Sequence, residues 1–471
     1  MAADAVPPLD EPRRIHIVAV GGAGMSAIAR VLVEAGHDVS GSDAVAGPRL
    51  APLAELGVHI SVGHDAANVA GVDAVVVSTA VSEDNVEVIA ARKAGTGVFT
   101  RREFLPALAR QQPLLSVSGT HGKTTTSSML AVALRGAGVS ISWLIGADVP
   151  ALGAAAAHHD GPYLVLEADE SDGSFLAEPR AGALVTNLES DHLEFWGDWE
   201  ALRMAFVDFV AKTAGPVVLC ADDPGSAGLL ESAGRDDVIT YGTTEDSDVR
   251  MVGLSEDRHG SHFDIVTVES THRVSLPMPG RHNALNATGA IALVGALGHD
   301  VPAAIAALGS HSGVHRRFET RGISAGVEVL DDYAHLPTEV EATLGAAKSR
   351  ASGRVVAVFQ PHRYSRTQSL GTSFGGSFAA ADVVVITEIF PAGEQPRPGV
   401  SGRVVHEAIE SRHPGEVHWA ETLQDAAELL LELLGPGDTL VTVGAGDVRE
   451  VGDLVLGGLE QREAPPDEDP L

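Results

Sequence analysis

The sequence predicts an α/β protein of three domains with parallel sheets. Its 471 residues suffice for three domains of ordinary size. Apolar strand candidates alternate with helical patterns, which is the signature of parallel pairing. Two glycine-rich turns each follow an apolar strand and open a helix. The first domain is therefore expected to be Rossmann-like. The central one is expected to be a P-loop ATPase-type α/β domain with a small antiparallel section, and the third a Rossmann-like α/β domain.

The first domain, 15–112, opens with the apolar run Ile15–Val20, a glycine turn and a helix over Met25–Ala35, with further strands at Ala74–Ser78 and Thr96–Phe99. Gln111–Pro113 marks the break. The second, 113–319, opens with Leu114–Ser118, a glycine/lysine loop and a helix over Thr124–Arg135. Tyr163–Glu167, Ala183–Asn187 and Val217–Cys220 read as buried strands ending in polar residues, and ligands gather at that carboxyl end of an open sheet. Val249–Leu276 alternates in short runs between turn residues, which predicts a few antiparallel strands before a helix over Asn283–Leu297. The third domain, 320–460, has strands at Val327–Leu330, Arg354–Phe359, Ala381–Thr387 and Thr439–Val443, and helices at Pro337–Ser349 and Thr422–Leu434. The ends, 1–14 and 461–471, carry Pro and acidic residues and are expected to be disordered. No repeat at a solenoid period is present.

A formal charge of −32 repels phosphate backbones and argues against nucleic acid as a partner. A phosphorylated ligand must then be held by local features, and with lysine only at 93, 123, 212 and 348 each one in a loop is informative. No apolar run approaches the ~18–20 residues of a membrane span, and the start lacks the apolar stretch of a signal peptide. Cys220 is the only cysteine, so no intrachain disulfide forms, which fits a cytoplasmic protein.

The strongest chemical signal is Gly119-Thr120-His121-Gly122-Lys123-Thr124-Thr125, between a strand and a helix. Glycines admit backbone N–H groups to phosphate oxygens, and the helix N-terminus adds positive potential. Lys123 can reach the β/γ-phosphates, and the Thr124 hydroxyl can ligate Mg²⁺. The spacing departs from the common Walker form, which would place glycine at Val117. The earlier turn, Ala19 to Gly24, resembles a dinucleotide fingerprint with its first glycine replaced, and Asp43 lies where a ribose-binding acid would fall. That turn fits NAD, a nucleotide sugar or tight strand–helix packing.

Acid-rich segments follow two buried strands: Glu167 to Asp172, and Asn187 to His192. A carboxylate from Glu167 and the His192 imidazole could share a divalent metal beside the phosphate loop. Asn283 and Asn286 open a helix, as caps or as readers of a base edge. Arg316 and Arg317 stand at the second domain boundary. In the third domain Asp332, Tyr333 and His335 follow one strand. Arg363 and Arg366 follow the next and could form a fork for a carboxylate.

In order and spacing these motifs resemble the Mur ligases, ATP-dependent amide-bond-forming enzymes of peptidoglycan assembly. The segments that carry the likeness are Gly21 to Ser26, Gly41-Ser42-Asp43, Gly119 to Thr125, Glu167 to Asp172, Arg281 to Asn286, Arg316-Arg317-Phe318, Asp331 to His335, Gln360 to Arg366 and Pro391 to Glu394. They run from about Ile15 to Asp447, nearly the whole chain, and the alanine-adding branch is nearest. The resemblance implies that UDP-N-acetylmuramate and L-alanine are the substrates, with ATP and Mg²⁺. Gly21, Gly22, Ala23, Gly24, Met25, Ser42 and Asp43 would hold the UDP part. Gly119, Thr120, His121, Gly122, Lys123, Thr124 and Thr125 would hold the ATP phosphates. Asn283 and Asn286 would lie by the adenine, and Arg317 and Asp332 near ribose and phosphates. Thr124, Glu167 and His192 would lie near magnesium. Tyr333, His335, Arg363 and Arg366 would hold the amino acid. Lys123, His192 and His335 are the candidates for chemistry, either histidine being able to take the amine proton. Two positions depart from the family: Ala19 replaces a glycine, and Leu336 replaces a second histidine. The subunit is expected to be a monomer or homodimer.

Three other readings compete. A ligase that recycles murein tripeptide would share most motifs. A nicotinamide-dependent oxidoreductase would use the first glycine turn but leave Gly119–Thr125 unexplained. A nucleotide-dependent binding module would not need the Tyr333, His335, Arg363 and Arg366 set.

Overall fold

Each glycine-rich turn lies at the carboxyl end of a central strand in its sheet. The structure, a computed structural model, describes residues 5–78, 80–257 and 259–463. The first sheet comprises β1 (Arg14–Val18), β2 (Asp38–Asp43), β3 (His59–Val62), β4 (Ala74–Val77) and β5 (Gly97–Thr100), in the order β3-β2-β1-β4-β5. All its neighbours run parallel. Strand order reverses between β1 and β4, so the crevice beyond β1 is a topological switch point. The helix Ala23–Glu34 follows the turn and buries Met25, Ala27, Ile28, Ala29, Val31 and Leu32.

The second sheet holds β6 (Leu114–Ser118), β7 (Ile141–Leu144), β8 (Ala156–Ala157), β9 (Tyr163–Glu167), β10 (Arg180–Val185), β11 (Val217–Cys220), β12 (Val238–Gly242), β13 (Val249–Asp257), β14 (Gly260–Val266) and β15 (Thr271–Leu276). Its order is β15-β14-β13-β12-β11-β10-β6-β9-β7-β8. β6 is buried along its whole length and runs parallel to both neighbours, β9 and β10. The sheet grows outward from it on both sides, which makes the end of β6 the second switch point. β13, β14 and β15 are consecutive neighbours joined by links too short for a parallel crossover, so they are antiparallel. The third sheet comprises β16 (Glu319–Ser324), β17 (Val327–Asp332), β18 (Val355–Phe359), β19 (Val383–Ile386), β20 (Glu416–Trp419) and β21 (Thr439–Val443), in the order β16-β17-β21-β18-β19-β20. Only β16 is antiparallel to its neighbour.

The chain packs as two compact units. One takes Met1–Leu254, His262–Leu276 and Asn283–Ser312, and the other Ser255–Ser261, Pro277–His282 and Gly313–Leu471. In the first unit the cores of the first two sheets are continuous, from Ile15 through Phe104 and Leu114 to Leu229. In the second unit the sheet is covered on both faces by separate apolar clusters, as parallel strands require. Helix starts follow local chemistry. Thr100 and Glu103 form a capping box, and Asp198 and Asp300 accept N–H bonds at their helix N-termini.

The strands β6, β9, β11 and β21 occupy the spans expected from the sequence, whereas β10 begins at Arg180 rather than Ala183. The expected end segments fall partly outside the described residues. Within them Leu9 is buried in the core of the first unit, and the helix Arg449–Glu463 runs past residue 461. Among the described residues no helix is long and apolar enough to cross a membrane.

Phe175 ties the acid-rich segment after β9 to the core. It is fully buried, with ring centroids 4.9 Å from Phe206, 5.4 Å from Phe209 and 5.9 Å from Trp196. Truncation would leave a cavity under that segment, so Phe175→Ala should lower the unfolding free energy by about 3–5 kcal/mol, measured by denaturant titration.

Candidate active site

The phosphate loop is held open by its docking on the residues that follow β10. Gly119 takes φ +134° and Gly122 φ +77°, conformations that disfavour any side chain. A Cβ at Gly119 would collide with Thr186 Oγ1, and one at Gly122 would stand 3.0 Å from the Asn286 amide. The His121 N–H donates to Asn187 Oδ1 (2.8 Å), while the His121 carbonyl accepts from Thr186 Oγ1 (2.6 Å) and Asn187 Nδ2 (3.1 Å). The Glu189 N–H donates to Thr120 Oγ1 (2.8 Å). The helix Lys123–Gly136 begins at Gly122 with no side-chain cap, leaving its first N–H groups for a ligand.

Lys123 points back over this loop. Its Nζ donates to Gly119 O (2.7 Å) and Thr120 O (3.2 Å) and lies 2.9 Å from Glu170 Oε2. Burial opposes its charge, but Glu170, Asp169 and Glu167 outweigh burial and hold the ammonium above its ordinary range. Thr124 Oγ1 donates to Glu167 Oε1 (2.8 Å). His192 does not group with Glu167. Its ring joins Asp169 and Glu170, with one ligand atom from each within 4.8 Å of the others. Two carboxylates and an imidazole beside a phosphate loop suit a divalent cation. Asp169 and Glu170 were not singled out from the sequence. They stand in a run of four carboxylates, and the short helical turn Glu170–Asp172 decides which of them turns inward.

In the first domain Ala19 adopts φ 61°, a left-handed backbone that glycine takes more readily, and the turn closes through Gly22 N–H to Ala19 O (3.2 Å). The Gly21 N–H donates to Asp43 Oδ2 (2.9 Å), which ties the turn to the end of β2. Gly22 opens the helix Ala23–Glu34 without a side-chain cap. Met25 is buried under it. Ser42 departs from its expected role: it is fully buried, and its hydroxyl donates to Glu87 Oε2 (2.6 Å) rather than facing a ligand.

In the central domain Asn283 and Asn286 are both buried, Asn286 against Gly122. Arg317, Asp332, Tyr333, His335, Arg363 and Arg366 belong to the second unit. There Asp332, at the end of β17, accepts N–H bonds from Phe318 (2.7 Å) and Ala334 (2.8 Å). Burial pushes its carboxyl up to about 6, against the pull of Arg317. The Tyr333 ring lies under two guanidiniums, with Arg316 Cζ at 4.8 Å and Arg317 Cζ at 5.1 Å. His335 packs edge-on to Tyr333 and 5.9 Å from His362, and Arg366 Nη1 donates to His362 Nδ1 (3.1 Å). His362 stacks on Phe390. Arg363 has φ 68°, and its Nε is buried without a hydrogen-bond partner. Leu336 is buried, so an apolar side chain suits the position. His362 was missed as a site residue, although it lies inside the segment from Gln360 to Arg366.

Profiles of three domains match the chain: the Mur ligase family catalytic domain over 14–113, the Mur ligase middle domain over 117–294 and the Mur ligase glutamate ligase domain over 316–446. The chain is 42% identical over 457 residues to the UDP-N-acetylmuramate–L-alanine ligase of Paenarthrobacter aurescens, covering 96% of this chain and 98% of that one. It is 45% identical over 456 residues to the ligase of the same name from Halorhodospira halophila, covering 95% and 94%. The crystal structure of the UDP-N-acetylmuramate–alanine ligase of Thermotoga maritima superposes with a TM-score of 0.80 at 29% identity, covering 96% of this chain and all of that one.

Burial holds the His335 imidazole down at about 4, against Glu339, so it stays neutral in the folded protein where the unfolded chain would already be protonated. The unfolded state therefore binds more protons below about pH 6.5, and stability falls as pH drops from 6.5 toward 4. A depression of this size corresponds to about 3 kcal/mol. Denaturant titrations across that range should show the decline, and His335→Asn should reduce it by about 3 kcal/mol, the rest coming from His282, His311 and His362, which burial also holds low.

Proposed function

The chain belongs to the Mur ligase family, and on that premise we propose that it joins the lactyl carboxylate of UDP-N-acetylmuramate to the amine of L-alanine, converting ATP to ADP and phosphate. The observation that carries this reading is the end-to-end likeness to alanine-adding ligases. The reaction serves peptidoglycan precursor synthesis, and its soluble substrates fit a cytoplasmic enzyme.

The loop from Gly119 to Thr125 binds the triphosphate through backbone N–H groups and Lys123. The substrate carboxylate attacks the γ-phosphorus, giving an acyl phosphate, and the alanine amine then displaces phosphate through a tetrahedral intermediate. Two anions must approach in the first step, so positioning and charge neutralisation dominate the barrier. Lys123 enters that step as a full cation, because the carboxylates around it keep it protonated. Asp169, Glu170 and His192 would hold Mg²⁺, which would supply further neutralisation of the phosphoryl oxygens when bound, while Thr124 pairs with Glu167.

Arg363 and Arg366 receive the alanine carboxylate. The Arg363 guanidinium, with its Nε lacking an internal partner, retains a donor for it. His335 Nδ1 faces the Tyr333 carbonyl at 3.1 Å and so carries the hydrogen, which leaves Nε2 as an acceptor for the amine. An imidazole held at about 4 orients the amine better than it deprotonates it.

Phosphate release with UDP-N-acetylmuramate, ATP and each amino acid in turn tests the reading. L-alanine should dominate, and turnover only with an intact murein tripeptide would replace this assignment with the recycling ligase. Lys123→Ala should remove phosphate release; since the change leaves the buried Glu170 without its cation, it should also lower the melting temperature, so release is measured below that transition. Full activity in that variant would discard the loop's role. Arg363→Ala should raise KM for alanine at least tenfold, since a charge-assisted pair contributes about 1.5–3 kcal/mol, with a much smaller change in KM for ATP.

A further inference from the structure

Glu87 is a carboxylate with no solvent exposure, in the first turn of the helix Val86–Ala94, and the reaction described above gives it no role. A buried charge is retained only where partners compensate for lost water. Here Oε2 accepts from Ser42 Oγ (2.6 Å) and lies 2.8 Å from His64 Nδ1, while Oε1 accepts from Asn68 Nδ2 (2.6 Å) and stands 3.6 Å from His16 Nε2. Burial alone would raise its pKa, but these partners reverse that and hold the carboxyl at about 2. Glu87 is therefore an acceptor only.

This fixes the proton on His64. Its Nδ1 has two neighbours, Glu87 Oε2 and Ser42 Oγ at 3.1 Å. The carboxylate can only accept, and the Ser42 hydroxyl has given its hydrogen to the same carboxylate. Both neighbours thus require Nδ1 to donate, and in the neutral ring Nε2 is left as a bare acceptor. The ring is 22% exposed.

The position of His64 gives that acceptor a use. The diphosphate turn follows β1, Asp43 ends β2, and His64 follows β3, so three polar groups succeed one another along the carboxyl edge of adjacent strands. The Gly63 N–H donates to Asp43 O (2.7 Å), which holds the His64 segment against the end of β2. A nucleoside diphosphate with its phosphates at the turn and its ribose at Asp43 extends its base toward β3. We propose that Glu87 is a positioning residue that presents His64 Nε2 as a hydrogen-bond acceptor to the N3–H of a uracil ring, making the first domain select uridine over cytidine nucleotides. Cytosine has a lone pair at N3 and would meet the lone pair of Nε2. A site built around a hydrogen bond rejects an analogue that cannot make it.

The inference rests on the first domain holding the UDP part of the substrate. It is tested with the full enzyme by inhibition against UDP-N-acetylmuramate, using UDP, CDP and 2′-deoxy-UDP. The wild type should prefer UDP to CDP by roughly tenfold or more. Glu87→Gln can donate to Nδ1 and so frees Nε2 to carry the hydrogen. The preference should then collapse or invert while KM for ATP stays within about twofold, an outcome that loss of packing alone does not produce. His64→Phe, at a partly exposed position, should abolish the preference without unfolding the domain. Equal inhibition by UDP and CDP in the wild type, or a preference unchanged in both variants, overturns the inference. So does a preference that follows the 2′-hydroxyl rather than the base. If UDP-N-acetylmuramate supports no phosphate release at all, the functional reading itself fails instead.

Discussion

The central domain depends on one electrostatic arrangement: an ammonium held over a loop of backbone carbonyls by a buried carboxylate. Lys123 bonds the Gly119 and Thr120 carbonyls of its own loop and pairs with Glu170, and both side chains are largely removed from water. A lysine left alone there would lose its proton to burial. With the pair in place, the loop has a preset shape and a fixed charge. Docking of Thr120 and His121 on residues 186–189 gives that shape a rigid backing. The acidic cluster beside it keeps Lys123 charged.

The first and third sheets use the same device of placing function at the carboxyl end of strands next to a reversal in order. In the first sheet the turn after β1 is joined to Asp43 by a backbone N–H. In the third, β21 inserts between β17 and β18, so the segments after those two strands supply Asp332, Tyr333 and His335 on one side and His362, Arg363 and Arg366 on the other. Neutral, partly buried imidazoles and aromatic rings make that second set less polar than its sequence suggests.

Much of this was legible before any coordinates. Strands buried on both faces, such as β6 and β21, show as short runs of apolar residues and small Ser or Thr and were placed to the residue. Strands such as β3 and β20 were missed because they are four residues long and partly exposed, and His59 and Glu416 do not read as strand formers. The phosphate loop was legible because its chemistry is contiguous. The Glu87 network was not. His16, Ser42, His64, Asn68 and Glu87 are scattered along the first domain, and only the fold brings them together. Glu87 by itself reads as an ordinary acidic residue in the first turn of a helix. Likewise nothing local distinguishes Glu170 from Glu167, since the choice depends on how the chain turns after β9.

The scarcity of lysine has a practical side. Lys93, Lys212 and Lys348 are exposed or half-exposed, whereas the Lys123 side chain is 12% exposed and held by a carboxylate. An amine acylates only when it is deprotonated and within reach of the reagent, and Lys123 meets neither condition. Among the lysines, amine-directed dyes or surface tethers would thus attach at 93, 212 and 348 and leave the Lys123 ammonium unmodified.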